Sequence, residues 1–564
     1  MRVGRVSLFA GICATLAVAS AEAGIVLNVD AKPIKDQRNS SCAPDLGYAG
    51  TLMEGSFHNG VAEWFYVSNR VETARLFREA GVRFIRQWSA NERWQLGLAW
   101  AQAKDRAAMA KRYKKAALVD PRECFSFWKE NDVKVLLTLE NYGVYTDVEA
   151  GKSTNDLETV KKVICDYVRW IIDNGYKGCV AGFEMGNEPY FGKDPEKYGA
   201  RWSAIVPEIK RVWPEAQIGL PVAEYRSGDP DIAAVRARAT GLEWVSGGKK
   251  GRFNISRLNQ WSGRFIVAMS NQLHNVSHVI YHFYGGDPAY GCSASGFGRV
   301  AKFAKVFPEI ADKRVWISEW RERSDENLTC HQMFFSSLWK GHYLLAVLGQ
   351  PNVDGVNLHN LGTLSGGLYV SNGKNWISQR DGSKKICLDK TGIGIPHAEI
   401  GPAGPVFRLY CSALLKHPII LEHGVNESQG AGAHFWASAV YYESGRKQAI
   451  AFGKGVERKD WPKIRGNVEW IAAMSPEKDS LALLMVNTKP ETVVLPVEIE
   501  GRQIEGKPVI RTLSCESEGI YAHVLPGEKP LWKLTRAEGA SADGGKLTVT
   551  LEPNVVQTVV VRMK

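Results

Sequence analysis

The chain has 564 residues, 45% hydrophobic and 23% charged, a balance that excludes a disordered protein. That length exceeds one ordinary domain and leaves room for a large domain with a smaller companion. A formal net charge of +11 comes without any lysine-rich block or nucleic-acid motif. Nucleic acid is therefore not expected as a partner, and acidic glycans rank first among charged ones.

The first 23 residues read as a cleavable signal peptide. Arg2 and Arg5 precede an apolar run over residues 7–19, and Ala21-Glu22-Ala23 offers a small-residue cleavage site. The run is too short to cross a bilayer, and no later stretch predicts a membrane-spanning helix. A secreted or periplasmic protein is expected, its charge falling from +11 to +10 with the loss of two Arg and one Glu. Residues 24–45 open on Ile25-Val26-Leu27-Asn28-Val29, a strand expected to join a sandwich formed by the C-terminus.

From residue 46 to 417, short apolar runs alternate with amphipathic segments, as parallel βα units do. Strands are predicted at 50–57, 82–88, 133–139, 180–188, 217–220, 279–284, 314–319 and 355–360. Helices are predicted at 71–80, 122–131, 157–173, 201–212, 259–274, 297–310, 333–348 and 406–415. Eight repeats in order predict a (β/α)8 barrel, an α/β fold lengthened by loop insertions. Over 418–564 the helical signal disappears. Strands at 433–442, 448–453, 481–487, 492–499, 509–514 and 555–563, separated by turn residues, predict an all-β sandwich domain.

Two stretches carry the chemistry. Val180-Ala181-Gly182-Phe183-Glu184-Met185-Gly186-Asn187-Glu188-Pro189 reads as a strand that stops at a proline, which cannot donate to a sheet ladder. Glu188 is left at its carboxyl end beside Asn187. Arg314-Val315-Trp316-Ile317-Ser318-Glu319-Trp320 has the same grammar and delivers Glu319. Two carboxyls at strand ends suit glycosidic cleavage, which needs a proton on the leaving oxygen and a negative group beneath the forming oxocarbenium ion. No P-loop, Rossmann glycine fingerprint or Gly-x-Ser-x-Gly elbow is present, so nucleotide and serine-hydrolase chemistry have no support.

Asn187-Glu188-Pro189 and Ser318-Glu319-Trp320 resemble the paired signatures of the retaining (β/α)8-barrel glycoside hydrolases of the clan A type. The run 480–487 and the turn Leu551-Glu552-Pro553-Asn554 resemble the sandwich appended in glycoside hydrolase families 39, 51 and 79. The resemblance implies Glu188 on strand 4 as acid/base and Glu319 on strand 7 as nucleophile. It implies that Asn187 binds a sugar 2-hydroxyl, that Tyr284 of a His-x-Tyr pattern with His282 holds Glu319, and that Arg86 supports the nucleophile. Trp88, Tyr142, Tyr190, Trp320 and Trp376 fall in βα loops as candidate stacking platforms, against a plain packing role for each.

The substrate is expected to be a poly- or oligosaccharide. Arg93, Lys193, Arg226, Arg321, Arg323 and Lys374 leave a uronate- or sulfate-bearing glycan open beside a neutral one. No cofactor is expected. His274, His278 and His282 recur every four residues, but the segment changes from helix to strand near Ser277, so no metal is expected. Nine cysteines remain after Cys13 leaves, and Cys292 with Cys330 is the expected disulfide. The competing function is a non-catalytic carbohydrate-binding protein on a barrel scaffold.

Overall fold

A computed structural model describes residues 20–21, 24–43, 45–49, 70–113, 118–223, 255–285, 307–322, 334–359, 376–378, 384–386, 403–427, 467–489, 491–515, 532–539 and 542–564. Eight parallel strands close a barrel in it. They are β1 (Leu46–Ala49), β2 (Phe84–Gln87), β3 (Lys134–Leu139), β4 (Val180–Met185), β5 (Ile218–Pro221), β6 (His278–Gly285), β7 (Arg314–Glu322) and β8 (Val353–His359). Strand β1 lies just before the stretch predicted for it, because Gly47 and Ala49 hide a short strand from a reading based on apolar bulk. Residues 50–57 lie outside the described residues.

The helices begin where the sequence can stop the backbone competing with itself. Asp120, Asp156 and Asp194 accept from the amides of Arg122, Thr159 and Lys197 at the N-termini of α1 (Pro121–Glu130), α2 (Leu157–Asp173) and α3 (Pro195–Val212). Each cap contributes about 1 kcal/mol. Helix α2 then buries Val160, Ile164, Val168 and Ile171, a stripe at helical spacing that faces the sheet.

Strand alternation builds the barrel interior in layers. Phe84, Leu136, Ile280 and Trp316 form an apolar layer. A Cβ on Gly182 would stand 2.4 Å from the Trp316 indole, so β4 yields its volume at this level to the tryptophan. Two residues further along each strand, the inward positions become Arg86, Thr138, Glu184, His282 and Ser318, all buried. The sequence thus changes an oily floor into a polar one over a single pleat.

Helix α4 (Phe334–Leu348) precedes β8, and α5 (Ala403–Leu414) is the last barrel helix before the chain enters β9 (Ile419–Glu427). The sandwich continues with β10 (Asn467–Met474), β11 (Ser480–Asn487), β12 (Val493–Ile499), β13 (Ile504–Cys515), β14 (Trp532–Glu538), β15 (Lys546–Leu551) and β16 (Val555–Met563). Its larger sheet runs β14-β13-β16-β11-β10-β9 and ends on Lys35–Asp36; in the smaller, β12 pairs with Ile25–Leu27 and β15.

Leu481, Leu483 and Met485 face the smaller sheet, while Ala482, Leu484 and Val486 pack toward the barrel helices. Burial on both faces explains why β11 is a continuous apolar run. Strands β9, β10, β14 and β15 escape the sequence reading; β14, Trp-Lys-Leu-Thr-Arg-Ala-Glu, is mostly exposed and shows no buried alternation. The strands predicted at 433–442 and 448–453 lie outside the described residues. No helix among the described residues is long and apolar enough to cross a membrane.

Candidate active site

Glu188 and Glu319 stand at the carboxyl ends of β4 and β7, on one rim of the barrel. One carboxylate oxygen of each and a ring nitrogen of His282 all lie within 4.8 Å of one another. The backbone is bent to achieve this. Gly186 (φ 77°) and Glu188 (φ 43°) both occupy left-handed conformations. At Gly186 any side chain would strike the Tyr198 hydroxyl, which donates to the Met185 carbonyl at 2.8 Å. A glutamate held at positive φ stores local strain of about 1–3 kcal/mol, a cost met at sites that need one geometry.

Strand β7 carries a bulge. Its register against β6 passes from Tyr281–Ile317 to His282–Glu319, so Ser318 is the extra residue. Ser318 and Glu319 both reach the interior polar cluster as a result, and Trp320 turns outward.

Beneath the pair lies a third carboxylate. Glu184 is fully buried and accepts from Arg86 Nε at 2.6 Å, Thr138 Oγ1 at 2.8 Å and Ser318 Oγ at 3.0 Å. Burial opposes its charge, yet Arg86 and His282 overcome that and hold it down at about 2. The same Arg86 donates from Nη1 to Glu319 at 3.3 Å and from Nη2 to the Asn187 side-chain oxygen at 2.8 Å. One guanidinium fork therefore fixes Glu184, Asn187 and Glu319 together, which a lysine cannot do.

His282 joins the other side. Its Nδ1 lies 3.0 Å from Glu188 and 3.6 Å from Glu319, and its Nε2 lies 3.1 Å from Ser318 Oγ. Burial alone would discharge the ring, but the carboxylates of Glu319, Glu184 and Glu188 outweigh it and raise the group to about 9. The Glu319 carboxyl is raised by burial and by Glu188, against the pull of His282 and Arg86. Tyr190 donates to Glu188 at 3.3 Å, and His359 Nε2 sits 3.6 Å from Glu319.

Glu188, His282 and Glu319 are also spaced to hold a metal ion. The Arg86 cation already rests on Glu319.

Of the sequence candidates, Glu188, Glu319, Asn187, Arg86 and His282 converge. Trp320 does not: it is fully buried against Tyr343 (ring centroids 4.0 Å apart) and Trp339 in the helix layer, because strand alternation past the bulge points it away from the cleft. Tyr142 has Lys193 Nζ and Arg201 Cζ each 4.4 Å from its ring centre and Tyr198 stacked nearby, so its faces are taken. Trp88 is half-buried in the turn after β2, its carbonyl accepting from Arg93 Nε at 2.9 Å. The side chains of Tyr284, Arg321 and Trp376, and all of Cys292, Cys330, Arg226, Arg323 and Lys374, lie outside the described residues. His274 ends in a short 3-10 turn and His278 points to Asp354 at 2.8 Å, so the three histidines share no face.

Glu184, Thr138, Ser318 and His359 were missed. The available signal was an acidic residue two positions beyond Gly182 in an otherwise apolar strand.

No protein-family model matches the chain, and no curated protein matches it. Solved structures do. The chain is similar to an α-L-arabinofuranosidase from Thermotoga maritima (14% identity, TM-score 0.55) over 96% of this chain and 99% of that one. A family 51 α-L-arabinofuranosidase from Bifidobacterium longum (13%, TM-score 0.56) covers 96% of this chain and 100% of its own. A glucosidase from Croceicoccus marinus (12%, TM-score 0.51) covers 96% and 99%. The fold is theirs. It is the (β/α)8 barrel with an appended β-sandwich found in barrel glycosidases.

Proposed function

We propose that this protein is a retaining glycoside hydrolase with Glu319 as nucleophile and Glu188 as acid/base. The observation that carries the reading is the approach of the two carboxylates to within 4.8 Å across the rim. Direct attack through a covalent intermediate asks for roughly 5–5.5 Å between the carboxyl groups, while an intervening water would need a wider gap.

Charge counting supports the assignment. Arg86 and a protonated His282 supply two positive charges, and Glu184, Glu188 and Glu319 supply three negative ones if all ionise. The cluster is neutral when Glu188 and Glu319 share one proton, which is the resting state the mechanism requires. With substrate bound, Glu188 gives that proton to the glycosidic oxygen as the C–O bond breaks. Glu319 adds its oxygen to the anomeric carbon, its charge steadied until then by Arg86 and His282. Glu188, now a carboxylate, takes a proton from water as that water displaces Glu319, and the starting state returns. Asn187, its oxygen held by Arg86, has its amide N–H groups available for the sugar 2-hydroxyl.

On the described residues alone, a neutral sugar is favoured over an anionic one. Glu92 and Glu140 stand near the rim, and burial followed by the Glu92 charge raises Glu140 to about 7. Lys193 lies over Tyr142, and Arg93 is bound to the Trp88 carbonyl. α-L-Arabinofuranosides and glucosides are the first substrates to try, following the similar structures. Secretion through the N-terminal segment belongs to the same proposal, and N-terminal sequencing of the mature protein tests it.

The activity test is chemical rescue. Glu319→Gly should lose turnover of aryl glycosides and regain it with azide, giving a glycosyl azide of inverted anomeric configuration. Sugar binding without turnover in either form, with or without azide, would instead indicate a binding protein.

A further inference from the structure

We infer that Glu140 is a positioning residue for the acid/base: through the Asn187 backbone amide it holds the turn that aims Glu188 at the glycosidic oxygen. This rests on the glycosidase reading above and deepens it. No sequence motif marks Glu140, and the chemistry of the reacting pair does not call for a further carboxyl. What singles it out is its place against a strained turn.

Glu140 follows directly on β3, whose inward row runs through Leu136 and Thr138 and so to position 140. Thr138, one step beneath, donates to Glu184 at 2.8 Å. The Glu140 main chain is clamped in both directions by one buried side chain. Asn91 Nδ2 donates to its carbonyl at 2.9 Å, and its amide donates to Asn91 Oδ1 at 2.8 Å. From that fixed base the carboxyl reaches the turn that carries Glu188. A Cβ on Gly186 would stand 3.8 Å from Glu140 Oε2, and the next amide, that of Asn187, hydrogen-bonds the carboxyl.

That turn has to be held. Gly186 and Glu188 both sit at positive φ, a conformation that a glutamate resists. Tyr198 holds the Met185 carbonyl on the near side, and Arg86 holds the Asn187 side chain. The Asn187 amide lies between the two left-handed residues, and Glu140 is its acceptor. Without that carboxyl the fastening from the β3 side is gone. Burial and the Glu92 charge raise Glu140 to about 7, against Lys193 and this amide. A protonated carboxyl keeps acceptor capacity, so the tie survives on both sides of that value. The fastening therefore asks for an oxygen at this place and not for a charge.

The test compares two leaving groups on one sugar, as phenyl and dinitrophenyl α-L-arabinofuranosides and glucosides. A dinitrophenolate departs without a proton, whereas phenol needs one from Glu188, and kcat/KM covers the step in which it leaves. For Glu140→Leu the ratio of kcat/KM on the phenyl to that on the dinitrophenyl glycoside should fall about tenfold, as for a misaimed acid. Displacing Asn187 slows both substrates alike, so the ratio isolates Glu188. Glu140→Gln keeps an oxygen for the amide and should keep the ratio. Glu140→Asp keeps the charge but draws the oxygens back by one methylene, and should lower the ratio as Glu140→Leu does. It decides the matter if Glu140→Leu does not fold. An unchanged ratio in that variant, whether both rates hold or both fall together, overturns the positioning role while leaving the glycosidase intact. A ratio that falls as far in Glu140→Gln overturns it equally. Failure of the unsubstituted protein to hydrolyse any of these glycosides removes the glycosidase reading and the role of Glu140 with it.

Discussion

Two buried charge clusters sit in this barrel, one at each end, and His278 and His282 place one histidine in each from a single strand. At the end away from the candidate site, Lys35 pairs with Asp45 at 2.8 Å, Arg314 with Asp354, and His278 with Asp354. Two cations meet two carboxylates, and His278 is pushed down by burial, Arg314 adding to that against the pull of Asp354. At the candidate site three carboxylates face one arginine, and His282 is driven up to about 9. The two histidines are both buried. What differs is the carboxylate surplus, which leaves one end a balanced fastening and the other a place where a proton must be held and can be moved.

The fastening has a role of its own. Lys35 belongs to the N-terminal segment whose short strand pairs with β9, and its Nζ also donates to the Val353 carbonyl at the start of β8. The two ends should therefore fail differently when altered. The largest expected effect is on chemistry. Glu188→Gln should lower kcat on a sugar leaving group by about 10²–10⁴-fold, the range for a general acid, with little change in melting temperature. Asp354→Asn should do the reverse, lowering the melting temperature and sparing kcat. Steady-state kinetics beside calorimetry separates these outcomes, and a large kcat loss in Asp354→Asn would dissolve the distinction.

Next comes Glu184→Gln. Removing this carboxylate leaves Arg86 and His282 buried with less compensation, a change that costs about 3–5 kcal/mol when a buried pair is broken. Histidine NMR should then show the His282 ring titrating below its value of about 9. A variant as stable as the parent would contradict the place given to Glu184.

A third prediction concerns pH. His282 is raised from 6.5 to about 9 in the fold, so its contribution to stability is complete below 6.5 and is lost as pH rises toward 9. Glu184 is lowered from 4.5 to about 2, so its contribution is present above 4.5 and is lost as pH falls toward 2. Denaturant unfolding between pH 6 and 9 should show a decline that His282→Gln lacks. The smallest effect is expected in the shared apolar floor: Gly182→Ala would press on Trp316 and cost about 1–3 kcal/mol, read as a lower denaturation midpoint.

The sequence made the site half legible. Glu188 and Glu319 could be read because a proline and a change of composition mark their strand ends. Arg86 and His282 came only from the resemblance to the barrel glycosidases. Glu184 could not be read in the same way, since a strand buried on both faces gives no alternation from which to pick its inward side. Trp320 was misplaced for a related reason: the bulge at Ser318 resets the alternation, and no local residue announces it. The barrel was legible from its eight alternations, whereas β14 was not, because a mostly exposed strand carries little hydrophobic pattern.

The central claim is that Glu319 forms a covalent bond to the sugar while Glu188 moves the proton. The direct measurement is mass spectrometry of the protein after turnover of an activated 2-deoxy-2-fluoro glycoside, chosen from the sugars it hydrolyses. The account predicts one added glycosyl group, on Glu319. Label on a different residue, or unlabelled protein releasing product of inverted configuration, would contradict it.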